Sequence, residues 1–256
     1  MNNIEIIYHK ENIDKNLLNN TTMIVGLPGV GHVGKFVVDY LINNYNAKVI
    51  VEFISKYFPP QVLINEDNTV SFLKHKIYFV SINNKSYLLL TGDYQSNDSK
   101  GHYELCEIYI NIALEFKVNK IITLGGYPNI NLSKSCILGS VNDTSLVNDF
   151  KEYGIEFKKF EPFGGIIGIS GLLLPFAAQK NIPAICLMGI TSGYIADPKC
   201  SKNLLSVLSK ILSLNIPEDA LDSQIQEIES VIENTKESLT KKENNNLNED
   251  DLTYFG

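Results

Sequence analysis

The sequence predicts an α/β fold, a three-layer α/β/α sandwich with a mostly parallel sheet over residues 1–216. Three observations predict it. Short β-branched runs alternate with stripes of apolar residues at helical spacing, as they do where crossover helices link parallel strands. The runs are continuously apolar, which suits strands covered on both faces. Glycines cluster near their carboxyl ends, at Gly26, Gly92, Gly125-Gly126 and Gly189.

Taken in order, Met23-Ile24-Val25 reads as a strand, and Val33, Val37, Tyr40 and Leu41 as the buried stripe of a helix. Val49-Ile50-Val51 is a second strand. From Pro59 to Ile82 no helical stripe appears, and the segment reads as shorter strands and turns that extend the sheet antiparallel. Tyr87-Leu88-Leu89-Leu90 follows, then a helix carrying Leu105, Ile108, Tyr109, Ile112, Ala113 and Phe116. Ile121-Ile122-Thr123-Leu124 and Ala184–Met188 are further strands. Between those two, Gly171–Ala178 reads as a helix capped by Ser170 and kinked or begun by Pro175. Leu204, Leu205, Leu208, Ile211 and Leu212 mark another helix.

From Pro217 the character changes. Pro217, Glu218 and Asp219 suit a helix start, and Leu221, Ile225, Ile228, Ile232 and Leu239 follow at spacings near a heptad seam. We read a C-terminal helix over residues 217–240. Residues 241–256 begin Lys-Lys-Glu-Asn-Asn-Asn and hold little that would repay the entropy of ordering, so they read as a flexible tail. The tail nevertheless ends in Leu252-Thr253-Tyr254-Phe255-Gly256, whose large apolar side chains gain nothing from water.

Composition removes several function classes. The net charge is −7 and every basic residue is Lys. Without Arg there is no bidentate phosphate fork or guanine-reading side chain, so no nucleic-acid partner is expected. No apolar run approaches the roughly 18 residues of a membrane span, and Met1-Asn2-Asn3-Ile4-Glu5 lacks the basic, then apolar, start of a secretory signal. Cys106, Cys136, Cys186 and Cys200 form no C-x-x-C pair, and the four histidines have no metal-ligand spacing. A cytoplasmic chain with no metal and no cofactor is the expectation.

Gly26-Leu27-Pro28-Gly29-Val30-Gly31-His32-Val33-Gly34-Lys35 is the strongest chemical motif. Gly29, Gly31 and Gly34 fit G-x-G-x-x-G between a strand and a helix, and Glu52 lies near where a ribose-binding acid is expected. A glycine turn that lets a helix pack close to a sheet accounts for the same residues. A P-loop would need Ser or Thr where Phe36 stands. Gly168-Ile169-Ser170-Gly171 lacks the last glycine of a nucleophile elbow, since residue 172 is Leu. Asp93, Asp143 and Asp197 read first as turn residues. Glycines at strand ends still mark a candidate ligand cleft, assigned to Gly29, Gly31, Gly34, Asp93, Gly125 and Thr191. No arrangement commits the chain to catalysis.

Five segments, in order, carry a family resemblance. They are Gly26–Gly34, Leu90–Ser96, Ile122–Tyr127, Gly168–Leu174 and Cys186–Tyr194. Together they resemble the archaeal branch of the proteasome assembly chaperone family over roughly residues 20–215. The resemblance implies a sandwich shaped like the nucleoside phosphorylases, a homo-oligomer, no catalytic residues, and docking on the α subunits of the proteasome core particle. The resemblance also leaves open a paralogous chaperone as a further partner. Some archaeal members end in a hydrophobic residue, tyrosine and any residue; the matching positions are Tyr254, Phe255 and Gly256. Phe255 departs from that pattern and loses a phenolic hydroxyl, which implies binding with weak gate opening. The alternatives from the residues alone are a dinucleotide- or nucleoside-binding enzyme using residues 26–34, and a phosphorylase- or hydrolase-like enzyme using Gly92, Asp93, Gly125 and Thr191.

Overall fold

The computed structural model describes residues 3–9, 11, 18, 20–129, 135–159, 164–193, 196–217, 219–223, 225–227, 229–231 and 233. Contacts divide the chain into two units, Met1–Ile216 and Pro217–Gly256. In the second unit, helical backbone is described at residues 222–223, 225–227 and 229–231. Ile228, Ile232 and Leu239, assigned to a seam above, lie outside the described residues, as do residues 241–256.

The first unit is a nine-stranded sheet flanked by helices. Its strands are β1 (Ile4–Tyr8), β2 (Thr21–Val25), β3 (Lys48–Ser55), β6 (His75–Ile82), β7 (Lys85–Gly92), β8 (Val118–Pro128), β9 (Ile137–Val141), β10 (Ile155–Glu156) and β11 (Ala184–Thr191). They lie in the order β1-β3-β6-β7-β2-β8-β11-β9-β10. A separate two-stranded sheet pairs β4 (Val62–Ile64) with β5 (Val70–Phe72). All five apolar runs read as strands are strands.

The sheet is mixed, which corrects the expectation of a mostly parallel one. The central strands β7, β2, β8 and β11 run parallel, whereas β1 with β3, β3 with β6, β6 with β7 and β11 with β9 are antiparallel. The reason is local. Asn83 and Asn84, at φ 51° and 59°, make the two-residue left-handed turn that closes a hairpin from β6 directly into β7. That turn reverses the chain where a crossover helix was not available. The strands also run farther than the glycines suggested, since Gly125 and Gly126 lie inside β8 and Gly189 inside β11.

Helices α1 (Val33–Asn44) and α5 (Pro198–Leu212) pack together on the sheet, as do α2 (Ser99–Glu115) and α4 (Ile169–Ala178). The short α3 (Leu146–Lys151) precedes β10. Alternation along the central strands sorts the core. Met23, Val25, Leu88, Leu90, Ile121, Cys186 and Met188 form one cluster with Leu105, Tyr109, Ile112, Leu173 and Ala177 of α2 and α4. Ile24, Leu89, Ile122 and Leu187 are equally buried but point the other way, as the period of two requires. Helix α4 begins at Ile169 with Gly168 at its cap, so Ser170 is not the cap expected above, and Pro175 sits inside the helix beyond its first turn.

Candidate functional site

The carboxyl ends of β2, β8 and β11 open into a cleft of about 440 Å³. Its walls are the loop Leu27–Val30, the β8 stretch Leu124–Pro128, Cys186 and Met188 of β11, and the loop Gly165–Gly168. This is where α/β sheets place ligands, because the loops there diverge to opposite faces. Its lining is mainly apolar, with Gln95, His102 and Ser170 as polar members and, among the described residues, no carboxylate and no lysine.

Close approaches of backbone shape this region. A Cβ on Gly34 would collide with the Leu124 carbonyl, and one on Gly26 with the carbonyl of Gly34. The turn after β2 therefore lies directly on α1, and α1 directly on β8. Gly31 and His32 take left-handed backbone at φ 63° and 51°, which swings the chain from the loop into α1. Gln95 ties the two sides of the cleft together. Its Nε2 donates to the Pro28 carbonyl at 2.6 Å, and its Oε1 accepts from the Ile169 amide at 3.3 Å.

The sequence-assigned residues separate into three groups. Gly29, Gly34 and Gly125 line the cleft. Gly29 and Gly125 leave open space, for a Cβ on either meets nothing nearer than 3.5 Å or 4.0 Å respectively, whereas Gly34 is wedged. Thr191 and Gly31 belong to a neighbouring clasp. Thr191 Oγ1 donates to Asp197 Oδ2 at 2.8 Å, the Asp197 amide donates to the Gly31 carbonyl at 2.8 Å, and Asp197 Oδ1 caps α5 by accepting from the Cys200 amide. Asp93 lies in neither place. Its carboxylate accepts from the Lys74 amide at 2.8 Å, and it borders a separate charged groove of about 270 Å³ with Lys35, Asp39, Lys74, Lys76 and Tyr78.

This geometry removes the support for the dinucleotide reading. Glu52 sits on β3, separated from β2 by β6 and β7, so it cannot reach a ribose seated above the glycine turn. Its carboxylate is engaged with Lys74 at 3.1 Å, Lys76 at 3.7 Å and His9 at 3.4 Å. Burial pushes its pKa up, but the lysines outweigh that and hold it below the usual carboxylate range. Nor, among the described residues lining the cleft, is a nucleophile assembled. Ser170 Oγ is directed to the Leu124 carbonyl at 3.4 Å, and His102 Nδ1 faces the Asp98 carbonyl at 3.0 Å. All four cysteines are buried, and burial raises the Cys186 thiol to about 11, far from a reactive thiolate.

Two features escaped the sequence. Gln95 looked like one polar residue of a turn; nothing in its neighbours announces a bridge to Pro28 and Ile169. His75, at the start of β6, is fully buried between the Tyr109 hydroxyl and the Tyr94 carbonyl. Among the described residues no helix is long and apolar enough to cross a membrane, and no cluster of three or more His, Cys, Asp or Glu is arranged to hold a metal. Tyr254, Phe255 and Gly256, the partner-binding residues assigned from the sequence, lie outside the described residues.

Comparison with known proteins places this geometry among relatives. The chain matches the PAC2 family over residues 23–236. It is 33% identical over 247 residues to an uncharacterized protein of Methanocaldococcus jannaschii, MJ1210, covering 93% of each. The crystal structure of Pyrococcus furiosus PbaB, an archaeal proteasome activator, superposes with a TM-score of 0.82 at 32% identity, covering 92% of this chain and 100% of that one. Pyrococcus furiosus PbaA, an archaeal homolog of proteasome-assembly chaperone, superposes with a TM-score of 0.75 at 22% identity, covering 95% of this chain and 96% of that one, a likeness of fold alone.

Proposed function

The chain belongs to the PAC2 family, and from that premise we propose that it is a non-enzymatic assembly chaperone or activator of the archaeal proteasome. It docks on the α-ring of the core particle in part through Tyr254, Phe255 and Gly256. The observation that carries this reading is the likeness to PbaB, an archaeal proteasome activator, along nearly the whole chain at 32% identity. The site chemistry supports it from the other side: among the described residues the cleft brings no nucleophile to a base, and in the clasp the buried Thr191 hydroxyl bonds an Asp197 carboxylate that also caps α5.

The C-terminal sequence suits the task. Residues 241–251 are polar apart from Leu247, and as a random coil the last 16 residues would reach roughly 20 Å. Two adjacent aromatic rings at the end of such a spacer supply an anchor that buries well in a pocket between subunits. One tail binds weakly because ordering it has an entropic cost, and several tails on one oligomer multiply the effect through effective concentration.

The test is capture of archaeal core particles by the full chain and by a chain ending at Thr253. The shortened chain should retain at least tenfold less core particle at equal concentration. Equal recovery would remove the tail from the account.

A further inference from the structure

We propose that the cleft at the carboxyl ends of β2, β8 and β11 binds a small uncharged aromatic molecule with one hydrogen-bond donor, an N–H or O–H, which it presents to His102. The floor of the cleft suits a flat ring. Gly125 stands level with Met188 in the β8–β11 register, and a Cβ there meets nothing nearer than Met188 Cγ at 4.0 Å. A strip of bare peptide backbone is thus left open beside a thioether, and sulfur packs favourably against aromatic rings. Gly29 leaves similar room in the Leu27–Val30 wall, where Gln95 Nε2 is the nearest atom at 3.5 Å from a Cβ. The volume of about 440 Å³ falls in the range of small-molecule sites.

The lining selects against charge. Among the described residues it has no carboxylate and no lysine, so an ionised ligand would lose its water without gaining a counter-ion. Two of its three polar side chains are already engaged within the protein. Gln95 is held at both ends, by the Pro28 carbonyl and the Ile169 amide, and Ser170 Oγ is directed to the Leu124 carbonyl. His102 differs. Its Nδ1 lies 3.0 Å from the Asp98 carbonyl, which can only accept, so Nδ1 carries the proton. The uncharged ring then keeps a lone pair on Nε2, the nitrogen turned away from Asp98. That nitrogen has no hydrogen-bond partner among the described residues.

Together these features define the ligand. The mainly apolar wall draws its affinity from buried apolar surface, so the body of the molecule is hydrocarbon-like. The open acceptor on His102 asks for one donor, and a ligand that sets a second acceptor there leaves both groups unpaired in a dry site. The glycine floor and the Met188 thioether favour a ring over a branched chain, which cannot lie flat on peptide backbone. A ring seated on Gly125 lies between the Leu27–Val30 loop and the Gly165–Gly168 loop, the two segments that Gln95 joins. The site binds and does not transform, since the imidazole accepts a hydrogen bond and nothing beside it attacks.

Binding here assumes nothing about the proteasome, so its failure and that of the docking reading are separate results. The probes are indole, which has the ring and a single N–H, and indene, which has the same shape with a methylene in place of the N–H. Calorimetric titration of the full chain at about pH 8 should give saturable indole binding with a Kd below about 1 mM. Indene should bind at least about tenfold more weakly, because it leaves the His102 acceptor unpaired. His102→Leu should bring the two probes within about twofold of each other. Gly125→Leu places a side chain on the floor and should abolish binding of both. Gly29→Leu, on extended backbone at φ −167°, fills the cleft from its own wall and replaces that variant if circular dichroism shows it unfolded. Indole binding weaker than about 1 mM overturns the proposal, as does indene binding equal to that of indole. So does a preference for indole that survives His102→Leu, or undiminished indole binding in the folded glycine variant.

Discussion

Gly34→Ala is expected to destabilise the protein by about 3 kcal/mol or more, at the upper end of what added atoms cost in a packed interior. In an ordinary helix the change would be favourable, because Ala is the better helix former by about 1 kcal/mol. Here the new methyl group meets the Leu124 carbonyl of β8 and lies 3.0 Å from the Leu124 Cβ. A flexible side chain could yield, but the carbonyl belongs to a central strand bonded on both sides to β2 and β11. Relief therefore requires α1 to lift from the sheet, and Gly26, seated against the Gly34 carbonyl, would have to move with it. Gly125→Ala is the contrasting case. Its methyl group would approach only Met188, at 4.0 Å, and removing a strand glycine is mildly stabilising. Urea unfolding of the two variants checks the pair. A Gly34→Ala protein as stable as wild type would mean that α1 does not lie on β8 as described.

The second large effect concerns pH. His75 is fully buried beside the Phe58 ring, with centroids 4.4 Å apart. The Tyr94 carbonyl can only accept, so His75 Nε2 carries the proton and donates to it, and Nδ1 accepts from the Tyr109 hydroxyl. This arrangement fits the neutral ring. Burial is the main cause that lowers its pKa from 6.5 to about 4. The unfolded chain thus binds a proton that the folded chain refuses. The contribution of His75 to stability is fully present above pH 6.5, is lost progressively as pH falls toward 4, and changes little below that. The shift corresponds to about 3 kcal/mol. His75→Gln removes the titration and keeps polar atoms near both partners. Between pH 7 and pH 4 the wild type should lose about 3 kcal/mol more unfolding free energy than this variant. The variant retains Glu52 and its lysines, so carboxylate titration cancels in the comparison. Parallel losses in the two proteins would contradict the buried neutral imidazole.

What the sequence disclosed of the fold follows from how each element is buried. Met23–Val25, Tyr87–Leu90 and Ala184–Met188 were legible as strands because they are covered on both faces and so are apolar throughout. Ile4–Tyr8 was not, being an edge strand with Glu5, Ile6 and Tyr8 exposed, and neither was the two-residue β10. The mixed sheet turned on Asn83-Asn84, a hairpin signal that lay unread just beyond the Pro59–Ile82 segment read as an antiparallel extension.

The cleft was legible in outline only. The glycine turn after β2 pointed to the right end of the sheet, but the sequence could not sort its glycines. Gly34 is wedged and Gly125 is open because of where β8 and β11 pass, far along the chain. Asp93 joined the cleft list for its place after a strand, yet its carboxylate is taken by the backbone of Lys74. The apolar face of the β4–β5 hairpin was hidden for the opposite reason. Val62, Ile64, Val70 and Phe72 read as members of ordinary strands, and only the register puts them together and leaves them bare.

Where the ring of Phe255 goes is the most direct test of docking on the α-ring. Replacing Phe255 by the photoreactive p-benzoylphenylalanine in the full chain, mixing with assembled core particles and irradiating gives a covalent record of its neighbour. An adduct on an α subunit is expected, suppressed by excess unlabelled chain and not by a chain ending at Thr253. An adduct confined to this chain's own body, or none to any α subunit, would contradict it.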